Sequence, residues 1–249
     1  MARRPLSSRR VFVAAYLILG VTAGAAIGTA IVLAERPAPL PPPPWSSWRP
    51  DTSSLRGQAL EIANHVGPTY RLPSGDQLAN VKVANPAGNK QLRAIGVPTK
   101  AKPETLSDFK LYDNNKTVYY MLCGAGSNCK IDEGTPSRAR GTVLRREALE
   151  LALYTLEYAH SADNVIVFFP PGPGQKKVSS SLFFQRGDLE SSLKDPLRRT
   201  LPRVQPPLPG QIGKGEQKTV DELTASLLYK FVGIVNASGF GNMVVLEPA

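Results

Sequence analysis

The chain is 249 residues long, with 30 Lys and Arg against 20 Asp and Glu, a net charge of +10, two cysteines and two histidines. That length supports one sizeable domain or two small ones with a real core. The positive balance favours anionic surfaces, but no nucleic-acid-binding motif accompanies it, so nucleic acid is not an expected partner.

Residues 11–34 form an uncharged apolar run that follows Arg3, Arg4, Arg9 and Arg10. As a helix the run would reach about 36 Å, enough to cross a hydrocarbon core of about 30 Å with some tilt. Basic residues ahead of a first transmembrane helix are preferentially retained in the cytoplasm. The pattern therefore predicts a cytoplasmic basic tail over residues 1–10, a transmembrane helix over 11–34 in contact with membrane lipid, and an exported remainder. A cleaved secretory signal is the competing reading, because Val32, Leu33 and Ala34 offer a cleavage position. The run is about twice the length of the apolar region such signals carry, and both readings export the domain. Gly20, Gly24 and Gly28 recur every fourth residue, a small-residue face on which another helix could pack closely. Glycine is also common in membrane helices, and Ala15, Ala23, Ala25 and Ala26 make the whole segment rich in small residues.

Residues 35–50 carry a proline ladder followed by Trp45, Trp48 and Pro50. Such a composition excludes helix and favours polyproline II. It reads as a stiff spacer that could hold a domain up to about 50 Å from a bilayer, unless the tryptophans fold back into the interface.

Residues 51–249 alternate helical and strand patterns, which predicts an α+β domain of mixed helices and mostly antiparallel hairpins. Setting aside the four arginines before residue 11 leaves 26 basic and 20 acidic residues, a balance of +6. Ser53 or Ser54 caps a predicted helix reaching about Val66, with Gly67 and Pro68 as its stop. A short strand is expected over 78–84, then a loop-rich stretch marked by Gly88, Gly96, Pro98 and Pro103. Residues 109–112 and 117–122 read as a hairpin across the turn formers at 113–116.

The longest helix of this region is expected from a Thr142 cap to about His160. Apolar residues occupy most of its circumference, so it should be the central core helix. Arg146, Glu150 and Glu157, with Glu147 nearby, read as a solvated stripe with i, i+4 pairing. Strands are expected over 165–169 and 178–184, a short helix over 188–200, and a proline-rich excursion over 202–215. Thr219 offers a helix cap, and strands over 227–235 and 242–246 close the chain as a hairpin.

Cys123 and Cys129 bracket five small or flexible residues. In an oxidising compartment such a pair can close a disulfide, and unpaired thiols are the alternative. A metal site built from both cysteines with His65 and His160 is not expected, because the ligand spacings of known zinc sites are absent. No cofactor is expected. Ser191 and Lys194 fit an S-x-x-K pattern without the companion elements of serine acyl enzymes. The glycines at 172 and 174 precede Lys176 and Lys177 but do not form a phosphate loop.

The expected function is accordingly one of binding rather than catalysis: a membrane-anchored interaction or scaffold domain of an envelope assembly, with a protein partner or self-association. The alternative is a module for an anionic envelope polymer, held by Lys176, Lys177, Arg198 and Arg199. An envelope enzyme with an unrecognised site is the third reading.

Overall fold

The computed structural model describes residues 8–34, 44–172, 175–203, 205–237 and 239–249, with side chains of the first segment described for residues 12–25. The chain divides into two units, residues 1–43 and residues 44–249. In the first, α1 (Ser8–Ala34) is a continuous helix. Its described large side chains Phe12, Val13, Tyr16, Leu17, Ile18, Leu19 and Val21 are exposed on every side. Among the described residues no helix is long and apolar enough to cross a membrane. The expected tail at residues 1–7 and the prolines at 35–43 lie outside the described residues, as does the Gly28 position as a packing surface.

The second unit is the expected mixed α+β domain. Its first helix, α2 (Leu55–Val66), starts where the Ser54 side chain accepts the Gly57 N–H, and it buries Ala59, Ile62, Ala63 and Val66. That spacing places four apolar residues on one face. After β1 (Asn80–Val83), the stretch expected to be loop instead forms β2 (Leu92–Pro98). Gly96 and Pro98 disguise this strand. At Gly96 the neighbouring strands come so close that an added Cβ would lie 3.1 Å from Met243 Sδ and 3.2 Å from Phe109.

Strands β3 (Phe109–Asp113) and β4 (Thr117–Cys123) occur where expected, but they do not form a hairpin. β3 pairs with β2 at one edge of the sheet, whereas β4 lies between β1 and β5 (Asn164–Phe168). The turn formers at Asn114–Lys116 make a 3-10 turn capped by Asp113. The turn redirects the chain rather than folding it back into a ladder. β4 also has the side-chain burial of an interior strand, which needs neighbours on both sides.

The long helix α3 (Arg138–Tyr158) starts one turn earlier than expected, at a Ser137 cap. β5 pairs antiparallel with β6 (Ser180–Gln185) as expected. The short helix expected next is split into α4 (Glu190–Lys194) and α5 (Leu197–Thr200), with Pro196 between them. α6 (Lys214–Thr224) starts ahead of Thr219, whose hydroxyl donates to the Gly215 carbonyl instead of capping. The closing hairpin is β7 (Leu228–Ala237) and β8 (Gly241–Pro248).

All strands join one eight-stranded sheet, in the order β1-β4-β5-β6-β7-β8-β2-β3. Only the β4–β5 and β2–β8 pairs are parallel. Side chains alternate strictly along the central strands. Val118, Tyr120, Leu122, Val165, Val167, Leu182 and Phe184 join the core beneath the helices. Their sequence neighbours Tyr119, Ile166, Phe168 and Phe183 instead meet Ile95, Val244 and Leu246 from the far half of the sheet. One face of the sheet can meet itself in this way only if the twisted sheet curls over. The result is a helical layer, the β1-β4-β5-β6 half and the β7-β8-β2-β3 half, stacked around two cores.

Candidate functional site

The chemistry of this domain gathers on α3. This helix packs against α2, α6, β5 and β6, and almost its whole circumference is buried. A helix enclosed on all sides has no solvated face. The stripe expected to be solvated is therefore inside the protein: Arg146 and Glu147 are fully buried, Glu150 is nearly so, and Glu157 keeps partial exposure.

Arg146 organises the cluster. Its Nε donates to Glu216 Oε1 of α6 at 2.7 Å, and its Nη1 donates to Glu150 Oε2 at 2.9 Å and to the Tyr70 hydroxyl oxygen. Nη2 donates to the Arg203 carbonyl at 3.2 Å. The Tyr70 hydroxyl in turn donates to Glu150 Oε2 at 2.5 Å. A buried guanidinium is tolerated because its planar donors match carboxylates in this way. Burial alone would lower the Arg146 pKa, but Tyr70, Glu150 and Glu216 outweigh it and hold the pKa above its ordinary value. Burial raises the pKa of Tyr70, reinforced by Glu150. It also raises that of Glu150 against the opposing pull of Arg146.

Glu147 has no such partner. Both of its carboxylate oxygens are buried without a hydrogen bond. Burial first, and then the neighbouring Glu150, push its pKa well above the ordinary carboxylate value. Burial therefore disfavours the charged form of this group.

Glu150 also lines a cavity of about 240 Å³ whose other walls include Ser46, Ser47, His65, Tyr154, Arg198 and Arg203. The tryptophan end of the expected spacer forms one side of this region, because Trp45 and Trp48 pack onto the helical core. Trp48 stacks on His65 at 3.9 Å, and Trp45 meets Tyr154 and Tyr158 edge-on. The Trp45 carbonyl accepts the Leu197 N–H at 2.8 Å. Residues 44–50 thus become a strap docked over α2 and α3. Burial lowers the His65 pKa, and burial pushes that of Tyr154 up to about 12.

The remaining predicted site residues are dispersed. Cys123 and Cys129 form the expected disulfide, which joins the end of β4 to a 3-10 turn and is consistent with an exported domain. Gly124 is required there, since an added Cβ would fall 2.1 Å from the Lys130 carbonyl oxygen. Lys176 and Lys177 are exposed on the β5–β6 connection, while Arg198 and Arg199 lie on α5, where Arg199 pairs with Asp195 at 2.9 Å. Gly20 and Gly24 have open space around them on α1. Lys194 of the S-x-x-K pattern pairs with Glu190 on an exposed helix face. Among the described residues no group of three or more His, Cys, Asp or Glu side chains is placed to hold a metal ion.

Sequence reading missed Tyr70, Glu216 and Arg203 as partners of Arg146 in one cluster, and the buried, unpartnered Glu147 next to it. One signal was present: a helix apolar around most of its circumference forces the charged residues within that pattern inside. No protein-family model, curated protein or solved structure matches the chain.

Proposed function

We propose that this chain is a single-pass membrane-anchored protein whose exported domain acts by binding, as an interaction or scaffold module of an envelope assembly. The apolar run at residues 11–34 and the arginines before it support the anchor. The described side chains of α1 are apolar and exposed around the helix, as lipid contact requires. Gly20, Gly24 and Gly28 would allow the anchor to pack on a second helix.

The observation that carries the binding role is the outer face of β7, β8, β2 and β3. The helices α2 and α3 pack on β1, β4, β5 and β6, the other half of the sheet. Register aligns Val235, Met243 and Ala94 in one row of the outer face, and Val245, Gly96 and Leu111 in the next. Leu111, Val232 and Val235 are exposed. Ala94, Met243 and Val245 in these rows are buried, so the surface offered to a protein partner is the exposed side chains Leu111, Val232 and Val235. An anionic polymer is the second reading, favoured by the exposed Lys176 and Lys177 on a domain of positive balance.

Two measurements test the proposal. Protease added to intact cells should digest the domain, and protection until the membrane is permeabilised would reverse the topology. A photo-crosslinker at position 232, which is exposed, should capture a protein partner that Val235→Asp releases without lowering the melting temperature. Equal capture by the Val235→Asp protein would remove this face from the function.

A further inference from the structure

We propose that the cavity between the strap and Glu150 is a binding site for a small zwitterion of amino-acid size, with its ammonium group on Glu150 and its carboxylate on Arg198 and Arg203. This goes beyond anchoring and sheet-face binding, and its failure would leave both of those standing.

The floor of the cavity is a carboxylate used on one side only. Glu150 Oε2 accepts from Tyr70 and Arg146. Oε1 makes no hydrogen bond among the described residues, and it is not one of the buried unpartnered atoms. It is therefore the oxygen left to the cavity that Glu150 lines. Among the described residues Arg146 is the cation that contacts Glu150, and it is shared with Glu216, which Arg203 Nε also approaches at 3.9 Å from Oε2. An ammonium group on Oε1 would supply a positive charge and the missing donors together.

The mouth has the opposite sign. Arg198 is exposed and has neither an ion pair nor a hydrogen bond among the described residues. Arg203 donates through Nη1 to the Gln211 carbonyl at 3.3 Å and its Nε lies 3.9 Å from Glu216 Oε2, while its Nη2 makes no hydrogen bond among the described residues. Guanidinium groups bind carboxylates through paired donors. A simple anion would satisfy this mouth but meet Glu150, and a simple cation would satisfy the floor but meet the arginines. A dipolar ligand matches both ends. The space of about 240 Å³ lies below the range of about 300–1,000 Å³ typical of drug-sized ligands, which suits a ligand of amino-acid size. Tyr154 and His65 supply ring walls for a short side chain.

The two tryptophans of the chain are Trp45 and Trp48, and Trp48 stacks on a wall residue, His65. Intrinsic fluorescence of the full-length protein in detergent micelles therefore reads the site. Glycine, L-alanine, D-alanine and L-leucine are the probes, with ethylammonium and lactate as single-ended controls. At least one amino acid should give a saturable change below about 10 mM, at least tenfold tighter than either control. Arg198→Ala, which removes no side-chain hydrogen bond or ion pair among the described residues, should weaken that binding about tenfold at an unchanged melting temperature. No saturable response to any of the four amino acids would overturn the proposal. So would lactate or ethylammonium binding as tightly as the amino acid, or wild-type affinity in Arg198→Ala.

Discussion

Replacing Glu147 with methionine should stabilise the protein, although it removes an ionisable residue from the middle of its longest domain helix. Methionine conserves the length of the side chain and introduces no polar atom. In the native state the Glu147 oxygens are buried without partners, and leaving such a group unsatisfied costs about 1–3 kcal/mol. A second contribution depends on pH. In the unfolded chain the group titrates near its ordinary value of 4.5, whereas burial and Glu150 place its native pKa well above that. Between the two values the native state binds more protons than the unfolded state. Stability therefore falls as pH rises through this window, by about 1.4 kcal/mol per pH unit for one group. Below the unfolded value the acid is neutral in both states and this contribution vanishes. The advantage of Glu147→Met should thus be about 1–3 kcal/mol near pH 4.5 and grow with rising pH until the native pKa is passed. Urea denaturation followed by tryptophan fluorescence at a series of pH values measures it, since Trp45 and Trp48 leave the helical core on unfolding. A variant no more stable than wild type, or one whose pH slope matches wild type, would refute the reasoning.

Arg146→Met should cost about 3–5 kcal/mol, because it leaves Glu150 and Glu216 buried without their cation; a loss below about 1 kcal/mol in the same assay would show that the cluster is readily rehydrated. Cys129→Ser opens a bridge of sequence separation 6, and it should lower stability by about 2 kcal/mol. Reductant should destabilise the wild type equally and leave the variant unchanged. Ser54→Ala removes the side chain that accepts the Gly57 N–H and should cost about 1 kcal/mol, measured by the same urea titration. Gly24→Ile should reduce association in a transmembrane reporter relative to Leu19→Ile, if the glycine face packs on a second helix.

Elements whose formation depends on nearby residues were legible before the fold was known. Ser54 caps α2 and Val66 ends it because capping and helical spacing act within a few residues. The β7–β8 hairpin and the Cys123–Cys129 bridge likewise join near neighbours. The tertiary structure decided what depends on distant partners. Gly96 and Pro98 hide β2 from local propensity, yet the strand exists because β3 and β8 pair with it. Residues 109–122 contain two strands and a turn, but competition for neighbours across the whole sheet sends β3 and β4 to different partners. The candidate site shows the same division. Arg146 and Glu150 are one helical turn apart, a spacing equally compatible with a solvated pair. Glu216 and Tyr70, which lie 70 and 76 residues away from Arg146, make it a buried cluster. The docking of Trp45 and Trp48 against α3 residues more than 100 positions away turns a proline-rich end into a cavity wall. Local sequence sets backbone preference and periodicity, whereas burial, and with it the charge state and reach of these side chains, is a property of everything packed around them.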